Sequence, residues 1–385
     1  MKKFTLAILA IALAAFIATS AQAEEKYVAG GFEAAGHVTA GGGYQHFNNK
    51  VQTYFTFDGD YGYFAGSIGK YLNQAPAART DHFTFFVDEV ELDLMKSFGE
   101  NVRLRADLDF SRTASSGMFV PAFVLEQAYA TANIPVGNGI EFLLGRFNTP
   151  IGFEAVDVNE NDTISKSVIA TGLRPSNTTG VKIYYAFSDL VDFHFYIVNS
   201  LTQDSNVKIN DVPSMGFRLG FNWGEEGNES TFGISGLFGP ETRASNRHFT
   251  YAGDLDLNWW VTEAFAFGLE GIFRRDNAFG GVNTNYFGGL LNLHYAFSDV
   301  WDGTLRYAFA KQTKPTNLAA ATAWTNLTGT QQQIHQITLA GGYAIADGAK
   351  LKLEGRFDIV KPASVVLPGN TEYVYGGALA FAYDF

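Results

Sequence analysis

From Lys350 to Ile359, charged and apolar residues alternate without a break. Lys350, Lys352, Glu354, Arg356 and Asp358 fall on one face of an extended chain; Leu351, Leu353, Gly355, Phe357 and Ile359 fall on the other. The same occurs from Val102 to Phe110, where Arg103, Arg105, Asp107 and Asp109 alternate with Leu104, Ala106, Leu108 and Phe110. Read in this way the chain predicts sixteen strands, near 32–46, 83–95, 102–112, 123–134, 139–147, 178–187, 191–200, 213–223, 229–238, 250–261, 264–275, 285–297, 300–311, 333–345, 349–360 and 371–385. Short turns are expected at 96–101, 135–138, 188–190, 224–228, 262–263, 298–299 and 346–348, each rich in turn-forming residues or very short. The other connections are longer.

A soluble β-sandwich also alternates. Three features favour a membrane barrel: strands of about ten residues or more, the regular exchange of short and long connections, and an apolar face rich in Phe, Leu and Tyr. The expected fold is therefore an all-β, antiparallel, up-and-down transmembrane barrel of sixteen strands, with the N- and C-termini periplasmic. Eighteen strands result if 50–57 and 62–72 pair through 58–62.

The two ends of the chain fit this picture. Lys2 and Lys3 precede an apolar run from Phe4 to Ile17, and Ala21-Gln22-Ala23 is a small-x-small site, so residues 1–23 read as a signal peptide cleaved after Ala23. The run is too short for comfortable bilayer crossing as a helix, which needs about 20 residues. Residues 24–385 form the mature barrel, exported through the periplasm to a bacterial outer membrane. At the other end, Tyr373, Tyr375, Leu379, Phe381, Tyr383 and Phe385 alternate with small or polar residues. Leu379, Phe381, Tyr383 and the terminal Phe385 resemble the signal that outer-membrane proteins present to the barrel-assembly machinery, which would capture the free strand edge by strand addition. Near the short turns, Trp223, Trp259, Trp260, Trp301, Phe187 and Phe297 are expected to form an aromatic girdle.

Composition removes several function classes. Cysteine is absent, so there are no disulfides, thiol chemistry or Cys-based metal sites. The net charge of −12 becomes more acidic once Lys2 and Lys3 leave, which argues against nucleic acid as a partner. The seven histidines show no metal-ligand spacing; His194 and His294 are expected as polar residues of the lumen wall. No Gly-x-Ser-x-Gly elbow or phosphate loop is present, so no cofactor and no catalytic residues are expected.

Sixteen strands enclose a lumen too wide for wall side chains to fill. Alternation assigns a basic lumen wall of Arg103, Arg105, Lys182, Arg218, Arg274, Arg306, Lys350, Lys352 and Arg356. Acidic candidates include Glu91, Asp93, Asp107, Asp109, Asp192, Asp254, Asp256, Glu270, Asp302, Glu354 and Asp358. Most are expected to solvate the wall and pair across strands, with a few setting the field of the channel. The fifth and sixth strands are joined by the long segment 148–177. Segments of this length are usually functional or disordered.

That segment opens Gly145-Arg146-Phe147-Asn148-Thr149-Pro150-Ile151-Gly152-Phe153-Glu154, holds Ser165-Lys166-Ser167, and leads through Pro175-Ser176-Asn177-Thr178-Thr179-Gly180-Val181 into the next strand. In these stretches the chain resembles the OmpL-like β-barrel porins. The strand at Leu125-Glu126-Gln127-Ala128-Tyr129 and the Gly-rich strand at 36–44 look similar too. Lys166 and Thr178 depart from the family's usual Arg and His. The resemblance implies a porin: a water-filled channel for passive diffusion of small hydrophilic solutes and ions, embedded in outer-membrane lipid. By analogy with general porins, it also implies a homotrimer and an in-folded 148–177. Pro150 and Gly152 would turn the chain inward, Phe153 would pack on the wall, and Glu154, Asp157, Glu160 and Asp162 would face a basic wall arc as a constriction with weak cation preference. The alternative is a plugged or narrow barrel acting as an adhesin or envelope-structural protein, with 48–82 as its binding segment.

Overall fold

The computed structural model describes residues 32–47, 81–110, 112–115, 118–121, 124–201, 210–241, 246–278, 282–313, 331–363 and 372–385. The signal peptide, segment 48–82 up to residue 80, and the proposed extra hairpin at 50–57 and 62–72 lie outside the described residues.

The strands are β1 (Glu33–Phe47), β2 (Asp81–Phe98), β3 (Val102–Asp109), β4 (Arg112–Ser115), β5 (Met118–Pro121), β6 (Val124–Ile134), β7 (Ile140–Asn148), β8 (Asn177–Ala186) and β9 (Val191–Val198). They continue as β10 (Ser214–Trp223), β11 (Ser230–Pro240), β12 (Phe249–Trp260), β13 (Phe265–Ala278), β14 (Val282–Ala296), β15 (Trp301–Gln312), β16 (Gln331–Ala346), β17 (Ala349–Ala363) and β18 (Glu372–Asp384). Sixteen of these, all but β4 and β5, form one closed antiparallel barrel in sequence order. Each matches one predicted strand, with ends differing by up to three residues. β4 and β5 form a separate hairpin on the connection between β3 and β6, where the expected third strand ran on to residue 112.

Closure is made by β18, which lies between β17 and β1. Phe385 and Gly36 exchange two backbone hydrogen bonds of 2.9 Å at the seam. β1 is bonded directly to β2, so the ring closes at sixteen. Both ends of the ring lie at its short-turn end, since Glu33 pairs with Met95 just before the 99–101 turn.

The barrel is polar inside and apolar outside. On β17, Leu353 is 62 % exposed, while its neighbours Lys352 and Glu354 are 2 % and 1 % exposed. On β16, Ile337 and Leu339 are exposed and Gln336, Thr338 and Ala340 buried. Burying charge and exposing Leu, Phe and Tyr would be unstable in water; in hydrocarbon it is the stable arrangement. Outward aromatics stack along β18, with Phe381–Tyr383 and Tyr383–Phe385 centroids 6.5 and 6.1 Å apart. Trp223, Trp259, Trp301, Phe187 and Phe297 are exposed near the short turns. Trp260 does not join them. It follows Trp259 directly, so its side chain takes the opposite face and meets the inner His294 edge-on at 5.6 Å.

Two bulges matter below. Between β1 and β2 the register passes from Thr39↔Glu89 to Ala40↔Val87. Between β3 and β6 it passes from Asp107↔Gln127 to Leu108↔Leu125, leaving Glu126 without an opposite residue. A bulge re-aims side chains, and here Glu126 and Gln127, consecutive in sequence, are both buried.

Candidate functional site

The segment between β7 and β8 is closed at its base. Thr149 donates from its backbone N–H to Ser176 O at 2.8 Å and from its hydroxyl to Pro175 O at 2.6 Å. Arg174 then holds the first turn, donating to Ile151 O at 2.7 Å and to Glu154 O. Gly152 sits at φ +84°, and a Cβ there would lie 1.9 Å from Arg174 Nη1. Only glycine takes this backbone and this closeness freely. The turn delivers Phe153 to the wall: its N–H donates to Glu270 Oε2 at 2.9 Å, and its ring lies over Gly268, where a Cβ would approach within 2.1 Å.

Beyond this turn the segment is hydrogen-bonded to inward side chains of the wall. Glu354 of β17 accepts from the N–H groups of Ile164 and Ser165, at 2.7 and 3.0 Å, and from the Ser165 hydroxyl. Gln336 of β16 accepts from Val168 N–H at 2.7 Å. Lys352 donates to the carbonyls of Val158, Asn159 and Asn161. Asn292 of β14 donates to Asp162 at 3.0 Å, and Asn159 to Asp384 at 2.7 Å. Glu154 forms a buried ion pair with Arg306 of β15 and accepts from Ser167.

A short helix, α1 (Val168–Gly172), is capped by the Ser167 hydroxyl. Val168, Ile169 and Leu173 pack against Ile272, Leu290, Ala308, Ala310 and Ile334, an apolar patch on the inner wall. A second apolar cluster joins Ile151 to Leu143, Phe147, Tyr196, Val198, Leu201 and Leu237. Neither the helix nor these patches was legible beforehand. Their trace is the break in alternation where Ile272 and Leu290 occupy inward positions that the charged-face rule assigns to polar residues.

All four acidic residues of the segment singled out by sequence meet wall side chains or line clefts, but in different company. Glu160 and Asp162 border a cleft with Phe153, Asn258, Trp260 and His294. Asp162 lies 3.3 Å from His294. Although burial opposes its ionisation, the hydrogen bond and charge of His294, together with Asn292, hold its carboxyl below the usual range. Asp157 does not face a basic arc. It sits with Glu89, Glu91 and Glu126, with one ligand atom from each of the four within 4.8 Å of the others. Burial and the Glu89 charge push its carboxyl up. The reason lies in β2, where Glu89 and Glu91 share a face at period two, and in the bulge that turns Glu126 inward.

The basic wall residues lie on the inner face, mostly as paired charges rather than as a free arc. Arg105 pairs with Asp107 at 2.7 Å, Arg218 with Asp256, Lys350 with Asp302 at 2.6 Å and Arg356 with Asp358 at 2.8 Å. Arg103 donates to Met95 Sδ at 2.8 Å near the short turns. Lys182 stands over the Phe147 ring, 5.3 Å from its centroid. Arg306 and Lys352 are the two committed most fully to the segment. Arg274 pairs with Asp276 at 2.8 Å, and His194 with Asp192 at 3.5 Å. Leu379, Phe381 and Tyr383 point outward on β18.

A family model described as "Putative beta-barrel porin-2, OmpL-like" matches residues 31–383. The chain belongs to this family. Solved structures share the fold at low identity. The outer membrane channel DcaP of Acinetobacter baumannii is 14% identical, with a TM-score of 0.63 over 94% of this chain and 100% of that one. The anion-selective porin from Comamonas acidovorans is 14% identical, with a TM-score of 0.55 over 92% and 99%. OprB of Pseudomonas putida is 10% identical, with a TM-score of 0.56 over 92% and 94%. Comparison with curated proteins found no match. The chain is an outer-membrane porin of this family, with the fold of a channel.

Proposed function

We propose that this porin forms a water-filled pore for passive diffusion of small hydrophilic solutes and ions, narrowed by 148–177, and that it is not an enzyme. The observation that carries this reading is the one-sided anchoring of the segment. Apart from its base, where Asn148 and Asn177 meet Gln127 and Glu126 of β6, its polar anchors lie on β2 and on β13 to β18. On β9 to β12 Arg218 is bonded to Asp256 and Asn222 to Asp192 at 2.5 Å, His194 lies 3.5 Å from Asp192, and among the described residues neither carboxylate oxygen of Asp254 has a hydrogen-bond partner. A path lined by these groups and by Glu160 and Asp162 supports a weak cation preference. Both termini and the short turns face the periplasm, and the outward residues of β18 serve as the assembly signal. A homotrimer follows the general porins. Passage needs no cofactor.

Purified protein in a planar bilayer should give discrete conductance steps. An electrically silent barrel would overturn the channel reading. Reversal potentials in a salt gradient should show a small excess of cation permeation, and a clear anion preference would overturn that part alone.

A further inference from the structure

The carboxylates of Glu89, Glu91, Glu126 and Asp157 come from three separate pieces of chain, and all four residues are buried. Buried charges are retained where they are paired or coordinate a metal. Pairing accounts for only part of this group. Glu89 accepts from Val158 N–H at 3.0 Å and contacts His37 Nε2 at 3.0 Å. Glu126 is reached by Asn177 Nδ2 at 3.5 Å. Among the described residues Glu91 Oε2 and Asp157 Oδ1 have no hydrogen-bond partner, and Glu91 is 1 % exposed. The hydroxyl of Thr39, directly across from Glu89 in the ladder and equally buried, also has none. Of the nearby cations, Lys166 donates to Val156 O and its charge also acts on Glu89, Glu126 and Asp157, while Arg105 pairs with Asp93 and Asp107; one lysine does not balance four carboxylates.

The local backbone favours a built site over a chance meeting. Glu126 faces inward only because of the β3–β6 bulge, and a second bulge adjoins Glu89. Bulges are enriched beside functional sites, where they re-aim one side chain. The donor set is all oxygen, lacks thiolate, and is assembled from flexible carboxylates that can each bind through one or two atoms. That is the chemistry of a hard cation with adaptable geometry, calcium in preference to the stricter magnesium or the softer zinc.

We propose that Glu89, Glu91, Glu126 and Asp157 bind one Ca²⁺, which ties the inward segment to β2 and β6. The cation then adds a fastening at β2 and β6 to the anchors that Arg306 and its neighbours make on β13 to β18. The site is independent of whether the pore conducts.

Full-length chain folded in detergent free of lipopolysaccharide and stripped with EDTA tests this by calorimetric titration with CaCl₂. One site per chain is expected, with Kd below about 1 mM, the weak limit of extracellular calcium modules. Calcium should also raise the thermal-unfolding midpoint. Glu91→Gln combined with Asp157→Asn should weaken binding at least tenfold, while Asp302→Asn, outside the cluster, should leave it unchanged. Absence of stoichiometric binding by the wild-type chain would overturn the proposal. So would equal binding by the double variant. If the double variant fails to fold, Glu126→Gln replaces it, with the same tenfold criterion.

Discussion

Glu154 and Arg306 are ion-paired across 152 residues of sequence, with side-chain exposures of 2 % and 1 %. Arg306 also donates to Thr163 Oγ1 and Ser165 O, each at 2.6 Å, and to Thr338 Oγ1 at 3.2 Å. One guanidinium therefore holds three points of the segment to the wall. Arg306→Gln strands a buried carboxylate, and breaking such a pair costs about 3–5 kcal/mol. The thermal-unfolding midpoint in micelles should fall, and the channel should become larger or noisier in single-channel records. Glu154→Gln with Arg306→Gln should recover part of the loss, because no unpaired charge remains.

Glu354 supplies acceptors for two backbone N–H groups of the segment. Removing a buried acceptor costs about 1–3 kcal/mol for each group left unsatisfied. With Glu354→Ala, amide exchange at Ile164 and Ser165 should accelerate at least tenfold, while amides in β10 and β11 keep their wild-type protection. Unchanged exchange at Ile164 would show that the segment is held without Glu354.

Gly268 makes room for Phe153. Gly268→Val places branched carbon where the ring lies, and overpacking of this kind costs about 1–3 kcal/mol. The ring must leave the wall, taking the Gly152 turn with it. The expected readout is altered conductance with an unchanged far-ultraviolet β signature.

Asp162 has a depressed carboxyl pKa. A group depressed in the folded state adds stability that is present above its ordinary value, 3.8, and is lost as pH falls through the folded value. The difference in unfolding midpoint between wild type and Asp162→Asn should thus be full at about pH 5 and shrink only well into acid, below about pH 4. A gap that already closes at pH 5 would contradict the assignment.

Leu353 is among the most exposed apolar side chains of the wall. Leu353→Arg puts a charge into hydrocarbon at a cost of about 2–4 kcal/mol near the midplane. Folding into liposomes should be impaired, whereas Leu353→Phe should fold as the wild type does.

Which side chains face inward was legible from period two alone wherever the ladder is regular. Arg356 and Asp358 are examples, as are Lys352 and Glu354. It was not legible at Glu126, because a bulge shifts the parity by one and nothing in Leu125-Glu126-Gln127 announces it. Trp260 shows the complementary case: proximity to a turn put it in the expected girdle, whereas its parity with the inward Asp254 and Asp256 places it inside, against His294. Glu89 lay within reach of sequence reasoning, two residues before Glu91 on the same strand, yet its partner Asp157 is 68 positions away along the chain.

Sequence by itself determined the barrel: strand count and most face assignments follow from local alternation and turn chemistry, which act over a few residues, and the resemblance to the family lies in the motifs between Gly145 and Val181. The tertiary structure alone decided what the inward segment meets. Closing the ring brings β18 beside β1, which is itself paired with β2, so side chains remote in sequence share one enclosed space. There Glu154 met a cation, Asp157 met three carboxylates, and α1 met an apolar patch. Burial sets the energy of each contact, and burial is a property of the closed ring rather than of any one strand.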